Sequence, residues 1–162
     1  MRCLIIGGDG MLGHRLLLSL RRRHETRVTL RDGLPQYARY GLFSQDNAFD
    51  HVDVRDTGRL LEVLADFHPD AVINAAGIVK QRSAAKEAIP SLEVNAMFPH
   101  RLSLLCRAIS ARLVHLSTDC VFNGRRGAYS EHDPADAEDL YGLSKYLGEI
   151  SEAPGITLRS SI

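Results

Sequence analysis

Short apolar runs alternate along the chain with apolar stripes of helical spacing. Cys3 to Ile6 is an apolar run that stops at Gly7 and predicts a buried strand. Met11 to Arg23 follows as a helix, with Leu12, Leu16, Leu17 and Leu20 on one face. Further strands are predicted at Arg27 to Arg31, Phe49 to Val54, Ala71 to Asn74, Arg112 to Ser117 and Ile156 to Arg159. Asp56 is placed to cap a helix striped by Leu60, Leu61, Leu64 and Phe67, which Pro69-Asp70 ends. Pro90 is placed to open the next helix, with Leu92, Phe98, Leu102 and Leu105 as its apolar positions. Leu140 to Glu149 predicts a short helix. Asp32 to Asp50 and Phe122 to Asp139 carry Gly and Pro without a clear period and are expected as loops. The first is long for a compact domain, a property of mobile or functional segments, and is expected to order when a nucleotide binds.

Strands alternating with helices imply parallel βαβ units in one α/β domain over residues 1–162, a doubly wound parallel sheet with right-handed crossovers. The 162 residues fit one domain, and 44% hydrophobic with 25% charged residues allow a core and a solvated surface. Twenty Lys+Arg balance twenty Asp+Glu, which argues against a polybasic nucleic-acid binder and an acidic disordered chain. No apolar run approaches the roughly 18 residues that span a bilayer, so no membrane partner is expected. Met1-Arg2 precedes a short apolar run and then glycines, unlike a secretory signal. Cys3, Cys106 and Cys120 cannot all pair and lack metal spacing, which fits free thiols in a reducing cytoplasm. The seven histidines are scattered, with no His-Glu-x-x-His pair, so no metal site is expected.

In sheets of this kind ligands bind beyond the carboxyl ends of the strands, near the point where strand order reverses. After the first predicted strand stands Gly7-Gly8-Asp9-Gly10-Met11-Leu12-Gly13. Gly7 permits a tight turn, Gly10 lets backbone approach a pyrophosphate, and Gly13 lets the helix pack close to the sheet. The free N–H groups at the start of that helix, from Met11 and Leu12 onward, point at the phosphates. The strand before and the helix after are the context that gives such a glycine pattern weight. Arg31, at the end of the second strand, leans towards NADP over NAD, and Asp32 beside it pulls the other way. A solvated loop charge accounts for Arg31 nearly as well. Asp53-Val54 borders the expected adenine position. Asn74, Ala75, Ala76 and Gly77 end the fourth strand, where small residues suit either a close cofactor or tight helix packing.

Ser117-Thr118-Asp119 follows the fifth strand, and Tyr141 and Lys145 share one helical face. A phenol beside an ammonium is suited to proton donation, the positive charge lowering the phenol's pKa. On spacing alone, a common surface helix pair is the simpler account of Tyr141 and Lys145.

The chain resembles the extended short-chain dehydrogenase/reductase superfamily, and within it the dTDP-4-dehydrorhamnose reductases. The matching pieces are GGDGMLG from Gly7, DVRD from Asp53, VINAAG from Val72, VNA from Val94, STDCVFNG from Ser117, YGLSK from Tyr141 and LRSSI from Leu158. They run in the family's order along the whole chain. The resemblance implies a Rossmann fold and NAD(P)H-dependent reduction of a 4-keto sugar on a nucleotide carrier. It assigns Thr118, Tyr141 and Lys145 to the family's catalytic Ser/Thr, Tyr and Lys. Tyr141 would hand a proton to the sugar's carbonyl oxygen, Lys145 would bind the nicotinamide ribose and lower the Tyr pKa, and Thr118 would orient the carbonyl. Asn95 would match a supporting helix asparagine. NADP(H) is favoured and NAD(H) remains open. Cys120 stands where the family commonly has Tyr. Family members carry a further substrate-binding portion after the sixth strand, so the chain is expected to be part of an enzyme, or to self-associate or pair with a partner subunit. A non-catalytic NADP-binding regulatory subunit and a sugar-nucleotide epimerase or dehydratase are the alternatives.

Overall fold

Six strands, all parallel, line up in the order β3-β2-β1-β4-β5-β6. The structure is a computed structural model that describes residues 1–79 and 87–161. The strands are β1 (Arg2–Ile6), β2 (Glu25–Thr29), β3 (Ala48–Phe49), β4 (Ala71–Asn74), β5 (Arg112–Thr118) and β6 (Gly155–Ser160). The helices are α1 (Met11–Leu20), α2 (Thr57–Phe67), α3 (Ala88–Ser91), α4 (Phe98–Ala108) and α5 (Leu140–Leu147). A π-helical segment, Leu92–Met97, joins α3 to α4. This is the Rossmann-like doubly wound sheet expected from the sequence. Chain order reverses between β1 and β4, which puts the ligand crevice beyond Ile6 and Asn74, neighbours in register.

Alternation along β1 explains both layers. Leu4 and Ile6 face a core built with Leu60, Val63, Leu64 and Phe67 of α2 and Phe98 and Leu102 of α4. Ile5 faces the opposite core with Leu17 of α1, Val28 and Leu30. Leu61, expected on the buried stripe of α2, is 48% exposed, and Val63 takes its place. Leu92 is likewise exposed, at the start of the π segment.

Several expected boundaries move. β2 runs from Glu25 to Thr29, so Arg31 lies beyond its end. α1 stops at Leu20 and α5 at Leu147, each short of the predicted end. The third strand is only Ala48–Phe49, because His51 takes a positive φ of 53° that breaks the extended run. Val52 still donates its N–H to the Leu30 carbonyl, but Asp53 and Val54 belong to the turn before α2. Pro90 lies inside α3, which opens at Ala88; its missing N–H falls in the first turn, where none is needed. The stretch expected as an open loop after Asp32 instead folds onto the protein as a 3-10 helix, Leu34–Tyr40. Leu34, Tyr37, Leu42 and Phe43 pack on the core around Val28, which buries their apolar surface. At the far edge of the sheet, Ile156 and Leu158 of β6 are about half exposed. Among the described residues no helix is long and apolar enough to cross a membrane.

Candidate functional site

At the crevice the glycine loop turns off β1. Gly7 has φ +86°, and a Cβ there would lie 2.9 Å from the backbone of Ala76. Gly13 sits so close to the loop that a Cβ would stand 2.0 Å from the Gly7 carbonyl oxygen. Gly10 faces open space, with only the Gly7 oxygen within reach of its absent Cβ. It precedes α1 and offers no side-chain cap, so the first-turn N–H groups of Met11, Leu12 and Gly13 are left for another acceptor. The loop is pinned from below: Gly7 donates to Thr29 Oγ1 at 3.1 Å and Gly8 to the Thr29 carbonyl at 2.8 Å. Gly8, outside the expected spacing, is closed in by Val28, which a Cβ would meet at 2.5 Å. Uncapped amide donors at a helix N-terminus, reached through a glycine turn, fit the diphosphate of a dinucleotide.

Arg31 is exposed and its guanidinium lies 3.9 Å from Asp32. Its charge also reaches Asp53, whose carboxyl is held below the usual range first by hydrogen bonds from Arg55, burial opposing. Arg55 grips Asp53 with both arms, at 3.0 Å and 2.6 Å. Sequence reasoning did not single out Arg55. Asp9, in the glycine loop, accepts from Tyr37 Oη at 3.2 Å, and the same oxygen accepts the Asp32 N–H. The 3-10 helix thereby ties the loop to the end of β2. Val54 packs partly on the core under α2.

The far half of the crevice carries the titratable groups. Thr118 is the last residue of β5, buried, and its Oγ1 accepts the Cys120 N–H at 3.2 Å. Tyr141 enters from the first turn of α5, which Asp139 caps by accepting the Gly142 N–H at 2.8 Å. Gly142 decides how near the helix comes: a Cβ would lie 2.3 Å from the Cys120 carbonyl and 2.6 Å from Ala137 Cβ. A glycine inside a helix was the signal for this close approach. The result puts the Tyr141 hydroxyl in polar contact with Thr118.

Burial raises the Tyr141 pKa, the contact with Thr118 opposing and the charges around Cys120, Asp119 and Asp139 adding to the rise. The expected lowering by Lys145 is absent, because that ammonium is turned down to the sheet. Lys145 is 6% exposed, and its Nζ donates to the Leu116 carbonyl at 2.7 Å. Burial lowers its pKa to about 8, with the charge of Glu149 opposing. Its Nζ is 3.9 Å from where Gly77 would carry a Cβ, so Lys145 and the end of β4 meet. Ala75 is fastened to β1 by its N–H on the Ile6 carbonyl at 3.0 Å.

Asn95, in the π segment, braces this corner. Its amide accepts from the Ile78 N–H at 2.9 Å and donates to the Ile78 carbonyl and to Ser144 Oγ. Ser144 in turn donates to the Tyr141 carbonyl at 2.9 Å. A second brace, not read from the sequence, joins α5 to the strands: Ser117 donates to Glu149 at 2.8 Å, and Arg159 grips both Glu149 oxygens at 2.8 and 2.7 Å. Cys120 is half-buried and lines a cavity of about 860 Å³ with Asp119, Phe122, Tyr129, Glu149 and Arg159. The structure thus brings Ala76 against the glycine loop, Lys145 against Gly77 and Tyr141 beside Thr118, while Arg31 lies within electrostatic reach of Asp53 and Val54 packs on the core.

Residues 1–153 match the RmlD substrate binding domain family. A dTDP-4-dehydrorhamnose reductase of Streptomyces griseus is 32% identical over 149 residues, covering 91% of this chain and 43% of its own length. Among solved structures, a hypothetical dTDP-4-dehydrorhamnose reductase of Sulfolobus tokodaii superposes with a TM-score of 0.80 at 30% identity, over 98% of this chain and 55% of that one. The dTDP-4-dehydrorhamnose reductase of Bacillus anthracis, in complex with NADP, gives 0.72 at 26% identity, over 91% and 47%. The chain spans about half the length of the relatives it matches.

Proposed function

The chain belongs to the RmlD substrate binding domain family, and from that premise we propose that it forms the coenzyme-binding part of an NAD(P)H-dependent reductase acting on the keto group of a nucleotide-linked sugar. The observation that carries this is the convergence of Thr118, Tyr141 and Lys145 beside Gly77, at the end of a strand that abuts the glycine loop.

The N–H groups of Met11, Leu12 and Gly13 hold the diphosphate, with Gly7 and Gly10 giving it room. Arg31 supplies a positive charge at the adenosine end, where a ribose phosphate would need one, so NADP(H) is the favoured form. Asp53 and Val54 border the adenine, and Ala75, Ala76 and Gly77 line the path towards Lys145. A bound dihydronicotinamide supplies a hydride to the carbonyl carbon of the sugar. The protein supplies the proton. Tyr141 keeps its proton at neutral pH, because its pKa is raised, and donates it from Oη to the oxygen on which negative charge grows. Thr118 fixes that oxygen by hydrogen bonding, and the Lys145 ammonium, set beside Gly77, holds a ribose hydroxyl. Hydride plus proton converts the ketone to an alcohol.

The chain has no tryptophan, so nicotinamide fluorescence is the direct probe. Titration with NADPH and NADH is expected to give saturable binding, tighter for NADPH. With the longer chain supplied and a dTDP-4-keto-6-deoxy sugar added, NADPH oxidation is expected. Tyr141→Phe should keep coenzyme affinity and lose oxidation. Saturating coenzyme that leaves the folded chain unbound overturns the proposal, and wild-type turnover by the phenylalanine variant removes Tyr141 from its role.

A further inference from the structure

We infer that His115 is a positioning residue for the coenzyme loop, acting through the amide of Asn74; the inference rests on the coenzyme reading above. His115 sits in the middle of β5, 1% exposed, with Asn74 directly across on β4. Asn74 is fully buried, and its Nδ2 lies 3.1 Å from His115 Nδ1. The other end of the same amide is committed: Asn74 Oδ1 accepts the Ala76 N–H at 3.2 Å. The amide nitrogen therefore has to face the ring and donate. His115 Nδ1 must accept, which puts the ring proton on Nε2. Burial first, then the positive charges of Lys145 and His100, hold the ring's pKa down near 3, so it stays a neutral acceptor.

His115 is a poor choice for packing alone. Its Nε2 is buried and finds no hydrogen-bond partner among the described residues. A buried donor in that state is costly, whereas Leu113, two positions earlier on the same face, fills its place without one. What the histidine does supply is a fixed acceptor that sets which way the Asn74 amide points. That direction decides where Ala76 sits. The Ala76 backbone approaches to 2.9 Å of the position a Cβ would take on Gly7, so the height of the turn after β4 fixes the glycine loop against which it leans. The next residues are held from the opposite side by Asn95, whose amide brackets Ile78 and is tied to α5 through Ser144. Two buried amides thus clamp the turn, one registered by α5 and the other by His115. Through this pair the strand that carries Thr118 also orients the diphosphate loop.

Substitutions can separate the acceptor from the packing. In His115→Asn the side-chain oxygen reaches the place of Nδ1 and can accept from Asn74 again, while a small void opens in the core. In His115→Gln the amide reaches the place of Nε2 and leaves the Nδ1 position empty. His115→Leu fills the volume with no acceptor at all. NADPH titration by nicotinamide fluorescence, paired with a thermal melt of each folded variant, reads both effects. The expected result is wild-type affinity to within about threefold for the Asn variant despite a lower melting temperature. The Gln and Leu variants should bind about tenfold more weakly, a loss typical of one missing hydrogen bond. Should the Leu variant fail to fold, the Asn and Gln pair carries the comparison. Equal affinity across Asn and Gln, or affinities that simply follow melting temperature, overturns the positioning role and leaves the coenzyme reading intact. Absence of NADPH binding by the wild-type chain overturns both.

Discussion

Replacing Lys145 by Met should stabilise the chain near neutral pH. The ammonium is 6% exposed and makes one hydrogen bond, to the Leu116 carbonyl at 2.7 Å. Among the described residues no carboxylate pairs with it, since Glu149 is committed to Ser117 and Arg159. Burial takes its pKa from the ordinary 10.5 to about 8. At roughly 1.4 kcal/mol per pH unit, carrying that charge in the folded state costs about 3 kcal/mol. The sign follows from proton counts. Below about pH 8 folded and unfolded chains are both protonated and the full cost is present. Between about 8 and 10.5 the unfolded chain binds more protons, so stability rises with pH; above that range neither form is charged and the cost is gone. Methionine is apolar and of similar length, but it forfeits the bond to Leu116, worth about 1 kcal/mol. The variant should therefore exceed the wild type by about 2 kcal/mol near pH 7, and the gap should close as pH rises towards 10. Urea unfolding followed by circular dichroism at both pH values measures this. Tyrosine and cysteine titrations are common to the two proteins and drop out of the difference. A methionine variant less stable near pH 7, or a difference that ignores pH, would refute the reasoning. The gain in stability should come with loss of the proposed reduction, as is common where a site holds a strained or charged group.

Gly142→Ala should push α5 off the Cys120 carbonyl, which its Cβ would meet at 2.3 Å, costing about 1–3 kcal/mol by urea unfolding and separating Tyr141 from Thr118. NADPH oxidation should then fall much more than NADPH affinity. Arg159→Ala leaves the half-buried Glu149 carboxylate without its two-armed partner and should cost about 2–4 kcal/mol, read as a drop in the urea midpoint at unchanged slope. Arg31→Ala, at an exposed position, should leave the melting temperature in place while narrowing the preference for NADPH over NADH by about tenfold in paired titrations.

The order of strands and helices was legible in the residues, because burial on both faces of a parallel sheet writes short apolar runs and amphipathic helices write a 3.6-residue stripe. The glycine loop was legible too. A positive φ at Gly7 and the tight packing at Gly13 admit no other residue, so those demands appear as letters at fixed spacing. Thr118, Tyr141 and Lys145 were visible as residue types, and the resemblance carried by the motifs joined them. Their electrostatics were not visible. Whether Lys145 lowers the Tyr141 pKa depends on where Nζ points, and the fold turns it to the Leu116 carbonyl. The segment after Asp32 looked like an open loop because it has no period, yet Leu34, Tyr37, Leu42 and Phe43 find the Val28 core, a surface that sequence spacing cannot supply. The same holds for Glu149 with Arg159, and Asn74 with His115. Local sequence determines conformation and which face of an element is apolar. Pairings between residues far apart in the chain exist only once neighbouring strands fix their register, and it was the tertiary structure that decided those contacts, the direction of each pKa and the closeness of α5 to the end of β5.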